Sequence, residues 1–282
     1  MVRSVTNTSF PRHDHIDMNP DKIDIRRTHI PESDIGEATF DSRRDLDAQD
    51  WRRILDVFER RTSRGEIAFI ASVASCIQLI DAKKNPSLPH GVKQKLVEDF
   101  GRVSEDLTIL SLSTYTKIIL PELEVTEGPL SAYKRGVLKY LQQARRNSSE
   151  LEWMYFVQTM ANLKILYPDE SIQLEEADWK AIEKSLEDIK AKDWSDFASF
   201  AADMRILGHS KELDISEWLH MKARLQELRN KKEEFGWNLA HISKSLSILA
   251  AEKIKVTSKG LELIKNDGVM TEHGELPQTR TY

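Results

Sequence analysis

The feature that most limits what this chain can fold into is a spacing. Five short apolar endings recur: CIQLI at Cys76, TKIIL at Thr116, LKIL at Leu163, MRIL at Met204 and LSIL at Leu246. After most of them come a polar break and a triplet of apolar, any, apolar residues: Leu123–Val125, Ile172–Leu174, Leu213–Ile215 and Ile254–Val256. The second apolar positions, 125, 174, 215 and 256, lie 49, 41 and 41 residues apart. Equal consecutive intervals of this length mark a repeated structural unit.

Each triplet leads to a large apolar residue that opens the next segment: Leu130, Trp179, Trp218 and Leu261. LDAQDWRRI from Leu46 matches LDISEWLHM from Leu213 at its apolar positions and in the acid before Trp, which extends the pattern back to Trp51. The link before Leu88, DAKKNPSLP, lacks the triplet. Inside the units the period is helical. Trp179, Ile182, Leu186 and Ile189 fall at intervals of 3, 4 and 3, as do Trp218, Met221, Leu225 and Leu228, which puts each set on one helix face. Trp194, Phe197, Phe200, Met204 and Leu207 continue as a partner helix, and Trp237, Leu239, Ile242, Leu246 and Leu249 do so in the next unit. Ser104, Asp178, Ser216 and Thr257 stand where N-caps are wanted. With only eleven Gly and nine Pro, the chain has few breaks to spend on anything but helix.

The expectation is an all-α fold: a right- or left-wound solenoid of about five helical hairpins of roughly 40 residues, joined by short extended segments. It fills 46–264, between an irregular N-terminal arm at 1–45 and a polar C-terminal tail at 265–282. Trp51, Trp179, Trp218, Leu163, Leu207 and Leu246 are its structural anchors. The triplets cannot all pair as strands, because stacked helices lie about 8 to 10 Å apart whereas paired strands need about 4.8 Å. They are expected to be extended plugs between units.

The period resembles that of HEAT and armadillo repeats, and the architecture that of helical-hairpin arrays in general; the Trp, Leu-Gly, Tyr, Ala and Pro pattern of tetratricopeptide repeats is absent. LSILAAEKIKVTSKGLELI, Leu246–Ile264, also looks like a segment recurrent in uncharacterised bacterial proteins. HISKSLSILAAEKIKVTSKGLELI, His241–Ile264, resembles the recognition helix and wing of winged helix-turn-helix regulators. That second likeness implies Ser243, Lys244 and Ser247 at base edges and Lys253, Lys255 and Lys259 near phosphates.

Charge and motif content bound the function. A net charge of −5 gives no global pull on polyphosphate, so nucleic-acid binding would need a local patch. LSAYKRGVLKYLQQARRNSS, Leu130–Ser149, is such a patch, with Lys134, Arg135, Lys139, Arg145 and Arg146 and no acid. These five are the candidate partner-binding residues, for an acidic protein partner first and nucleic acid second; Tyr133 and Tyr140 on the same helix are expected in the core. HDHID holds His13, Asp14, His15 and Asp17 but no second cluster to complete a metal site. His209, His220 and His241 are scattered, Asp196 and Asp203 are expected to be exposed, and Cys76, the only cysteine, sits on an apolar helix as a buried thiol. No phosphate loop, zinc signature or hydrolase elbow is present. No apolar run is long enough to span a bilayer. The expected protein is a non-catalytic, cytoplasmic interaction scaffold or adaptor without a cofactor; the alternative is a nucleic-acid-associated regulator using its winged-helix-like end or the basic helix.

Overall fold

The computed structural model describes residues 39–209, 211–230 and 236–265. The HDHID motif and the tail beyond Lys265 lie outside them. The protein is mainly α, with one small two-stranded hairpin. A single helical turn, α1 (Ser42–Asp45), precedes five helical hairpins: α2 (Ala48–Ser63) with α3 (Ile67–Ile80), α4 (His90–Asp99) with α5 (Leu107–Ile119), α6 (Leu130–Asn147) with α7 (Glu150–Leu166), α8 (Glu176–Lys190) with α9 (Trp194–Ile206), and α10 (Ile215–Asn230) with α11 (Gly236–Ala250). The chain then forms β1 (Lys253–Thr257) and β2 (Gly260–Ile264), paired antiparallel with Lys255 opposite Glu262.

The second helices of the hairpins pack in a circle. α3 packs on α5, α5 on α7, α7 on α9, α9 on α11, and α11 back on α3. Each first helix stands outside and bridges two inner ones: α2 lies on α3 and α11, α4 on α5 and α3, α6 on α7 and α5, α8 on α9 and α7, α10 on α11 and α9. In an open stack with about 10 Å between layers, the fifth hairpin would lie about 40 Å from the first. The contacts between the first and last hairpins instead describe a closed ring, which leaves no open concave groove of the solenoid kind.

The closing seam is specific. Gly236 opens α11 so close to α2 that a Cβ there would lie 2.5 Å from the carbonyl oxygen of Arg53 and 2.7 Å from Val57 Cγ2. The Arg53 guanidinium donates to the carbonyl of Arg229 at the end of α10. Arg229 in turn donates to the Asp45 carbonyl and pairs at 2.5 Å with Asp50, which is 2% exposed. Lys222 reaches Asp45 at 3.0 Å. The end of the segment read as an irregular arm is therefore ordered by the ring: Phe40 and Leu46 are buried, and α1 anchors the seam.

The helical faces lie where their periods put them. Ile182, Leu186, Ile189, Met221, Leu225 and Leu228 are buried, as are Phe197, Phe200, Met204, Ile242 and Leu246. Of the anchors, Trp51, Trp218, Leu163 and Leu246 are buried, while Trp179 and Leu207 are partly exposed, Trp179 meeting the His209 ring edge-on at 3.9 Å. Val125, Ile172, Leu174, Leu213 and Ile215 are partly buried against the core, as plugs should be.

All four N-cap expectations are corrected, and so is Leu261 as the opening of a helix. The acid that closes each capping box outcompetes the nearby hydroxyl: Asp214 caps α10 in a reciprocal pair with Glu217, so Ser216 lies inside the helix. Glu175, with Asp178 as its partner three residues on, opens α8, and Asp106 rather than Ser104 caps α5. Thr257 starts no helix, because it ends β1, and Leu261 lies on β2. Gly260, at φ +101, makes the turn that folds β2 back, a conformation that L side chains rarely adopt.

One basic residue recurs in the last turn of three inner helices. Lys117 of α5 donates to the carbonyls of Pro121 and Leu123, Lys164 of α7 to that of Pro168, and Arg205 of α9 to those of Leu249 and Ala251. Each places a cation at the negative pole of its helix dipole, and Arg205 also satisfies the Leu249 carbonyl in the last turn of α11. This is the K/R of the LKIL and MRIL endings. The β-hairpin lies over the same end of the ring, packed on α5 and α7, with Lys265 donating to the last carbonyl of α3, at Ile80.

Candidate functional site

The basic helix α6 is engaged on its own surface. Lys134 pairs with Glu170, Arg135 and Lys139 both pair with Glu105, and Arg145 forks onto Asp178 at 2.6 Å and Glu175 at 3.2 Å. Asp178 is buried and held below the usual carboxylate range, first by its hydrogen bond from Arg145. Only Arg146 of the five makes no ion pair among the described residues. Neighbouring acids thus offset most of the charge that the isolated helix carries. Tyr133 is in the core, and its hydroxyl donates to the carbonyl of Arg102.

The winged-helix likeness meets a geometric obstacle. The helix expected to enter a groove is α11, an inner helix, and Ser243 and Ser247 are buried in the ring. A hairpin does follow it, and Lys253, Lys255 and Lys259 are exposed there.

A second constellation lies on the ring axis. The residue immediately before each apolar ending is polar: Ser75, Tyr115, Asn162, Asp203 and Ser245, one on each inner helix. Helices that are not ring neighbours meet through these positions. Lys244 of α11 acts electrostatically on Tyr115 of α5, and Asp203 of α9 acts on Tyr115, although α5 packs on neither α9 nor α11. Side chains of non-adjacent helices come together only at the centre. Around them Tyr115 hydrogen-bonds with Ser72, whose hydroxyl lies 2.9 Å from His241 Nε2, and Asn162 donates to Ser111 at 3.1 Å.

Exposure is unevenly distributed on the inner helices. Partly exposed residues recur one to two turns apart on four inner helices: Thr108, Ser111 and Tyr115; Leu151, Tyr155 and Gln158; Asp196 and Ser199; Trp237, His241 and Lys244. On α3, which walls the fifth side, residues 70–77 are all buried. Five helices spaced about 9 Å apart put each helix axis about 8 Å from the centre, and the Cα atoms lie about 2.3 Å nearer. The β-hairpin packs on α5 and α7, against Lys117 in the last turn of α5, and that end is the floor of the ring.

Asp203 and Lys244 stand out at its floor. Asp203 is 9% exposed, yet its carboxylate has no hydrogen bond and no ion pair among the described residues, and the same holds for the partly exposed Lys244 ammonium. Burial pushes the Asp203 carboxyl up to about 6, with Lys244 opposing. Burial draws the Lys244 ammonium down, but the groups around it, Cys76, Asp203 and Tyr115, together hold it above the ordinary lysine value. Burial also raises the Cys76 thiol to about 11 and raises the Tyr115 phenol. At neutral pH the floor therefore presents one carboxylate and one ammonium, neither in an ion pair among the described residues, beside a neutral thiol and a neutral phenol.

Asp203 was expected on the surface. The signal that finds it is alignment of the repeats on their endings, which shows a polar residue at one register position in all five units. An open cleft of about 480 Å³ lies elsewhere, lined by Lys180, Glu183, Lys184, Glu187, His209 and Lys211 among others. Glu187 and Lys211 there are already paired with each other, so the cleft has less unsatisfied chemistry than the axis. Among the described residues there is no cluster of three or more metal-ligating side chains and no helix long and apolar enough to cross a membrane. Comparison with protein-family models, curated proteins and solved structures returned no match, so the ring and its axis carry the functional argument by themselves.

Proposed function

We propose that this chain is a binding protein that holds a small polar molecule at the axis of its ring. The observation that carries the reading is that the buried Asp203 carboxylate and the partly exposed Lys244 ammonium, on adjoining inner helices, have no hydrogen-bonded or ion-paired partner among the described residues. Buried charges are costly unless something completes them. The reading is non-catalytic: at neutral pH the thiol is protonated and the lysine is charged, so neither is an activated nucleophile. Thermal unfolding against a panel of small polar metabolites tests it. A ligand present at a hundred times its dissociation constant adds about 2.7 kcal/mol to stability. The stabilisation should be lost in Asp203→Asn and Lys244→Met, and a ligand that stabilises both variants as it does the wild type would place its site elsewhere.

A protein-interaction role of the adaptor kind has one observation in its favour. Val103 and Leu138 are large apolar side chains left 65% and 43% exposed, and they flank the Glu105, Arg135 and Lys139 ion pairs. Affinity capture with wild type and Leu138→Glu separates the two roles, because a partner lost with Leu138 and indifferent to Lys244 belongs to the outer surface.

A further inference from the structure

The axial-binding reading leaves the ligand's chemistry open, and the two charges narrow it. Asp203 and Lys244 sit on α9 and α11, beyond ion-pair distance of each other, with their side chains converging on the ring axis. A free anion taken up by Lys244 would face the Asp203 carboxylate, and a free cation taken up by Asp203 would face the Lys244 ammonium. Either would also bring a net charge into a buried site whose own charges cancel. An uncharged ligand would leave both groups without the charge-assisted partners that they lack. Only a molecule carrying both signs satisfies both groups and leaves the site neutral.

We infer, resting on the axial reading, that the occupant is a small amino-carboxylate zwitterion, its carboxylate against Lys244 and its ammonium against Asp203.

The test is calorimetric titration of the whole chain at pH 7.5 with glycine, β-alanine and γ-aminobutyrate, which separate the two charges progressively, and with acetate, methylammonium and glycerol. The expected result is that at least one zwitterion binds and that acetate and methylammonium each bind at least tenfold more weakly. Asp203→Asn and Lys244→Met should each weaken the zwitterion at least tenfold. Acetate, methylammonium or glycerol binding at the axis as tightly as any zwitterion, and lost in Lys244→Met or Asp203→Asn, would overturn the zwitterion while the axial reading stands. No binding by any of the six overturns the zwitterion, and if the wider metabolite panel also fails to stabilise the protein, the axial reading falls with it. The comparison among ligands is made on the wild type, so it decides the question even where a variant fails to fold.

Discussion

Replacing Gly236 by alanine tests the closure of the ring. In an open stack the start of the last inner helix would face solvent, and alanine there would be neutral or mildly favourable, since glycine is up to about 1 kcal/mol worse than alanine within a helix. In the closed ring the new Cβ lies 2.5 Å from the Arg53 carbonyl oxygen and 2.7 Å from Val57 Cγ2. Ordinary contact begins at 3.4 Å, so the two helices must part by nearly an ångström or the Arg53 backbone must move. Overpacking of this kind costs about 1 to 3 kcal/mol. After the propensity gain, the net loss is about 1 to 2 kcal/mol, which lowers the melting temperature by about 2 to 8 °C for a chain of this size. Gly91→Ala is the control, because nothing lies within 4 Å of that position and only the propensity gain remains. Scanning calorimetry of the two variants beside the wild type measures the difference. If Gly236→Ala is as stable as Gly91→Ala, α11 does not rest on α2 and the ring reasoning is wrong.

Other expectations follow from the same geometry. Asp203 has a folded pKa of about 6 against 3.8 for the free group, so it binds protons more readily folded than unfolded; its contribution to stability is complete below about pH 4 and is lost as pH rises to 6. Wild type should therefore lose about 2 kcal/mol relative to Asp203→Asn between pH 4 and 6, read by denaturant titration, and parallel profiles would refute the burial of the carboxylate. Trp218→Ala, in the core at 7% exposure, should cost about 3 to 5 kcal/mol by the same measurement. Charge reversal of Arg135 and Lys139 together should lower stability only slightly by the same measurement, because both pairs with Glu105 are exposed and such pairs are weak. Cys76, fully buried with a thiol raised to about 11, should react with a thiol reagent no faster than the protein unfolds; rapid labelling of native protein would contradict its place in the ring.

The helices were legible because their burial is local. Intervals of 3 and 4 between Trp218, Met221, Leu225 and Leu228 force one face inward whatever the rest of the chain does. Closure was not legible, because a 41-residue unit has the same faces in an open stack and in a ring. What decides between them is a small residue at Gly236 and an arginine at 229, neither of which belongs to the repeat, meeting an aspartate at 50 that does. The hairpin after α11 was readable and misread: KIKVT alternates in burial at a period of 2 and Gly260 opens the strand after it, yet the repeat grammar favoured another helix. The axial charges were hidden for a different reason. Taken one at a time, Asp203 and Lys244 look like surface residues of amphipathic helices, and only the ring turns those faces toward each other.

A closed circle of hairpins also has no terminal unit. An open array can gain or lose a repeat at either end and remain the same kind of object, each unit meeting only its neighbours. Here every inner helix has two inner neighbours, and the angle between successive hairpins is fixed by their number. A sixth hairpin would not lengthen the molecule; it would widen the circle, draw Asp203 and Lys244 apart and dissolve the floor on which they meet. Copy number in this fold is therefore tied to the width of the ring. The joint at Arg229 and Gly236 is also no more a terminus than any other link, so a chain reopened at a different loop, with its present ends tethered across the seam, should close on the same circle.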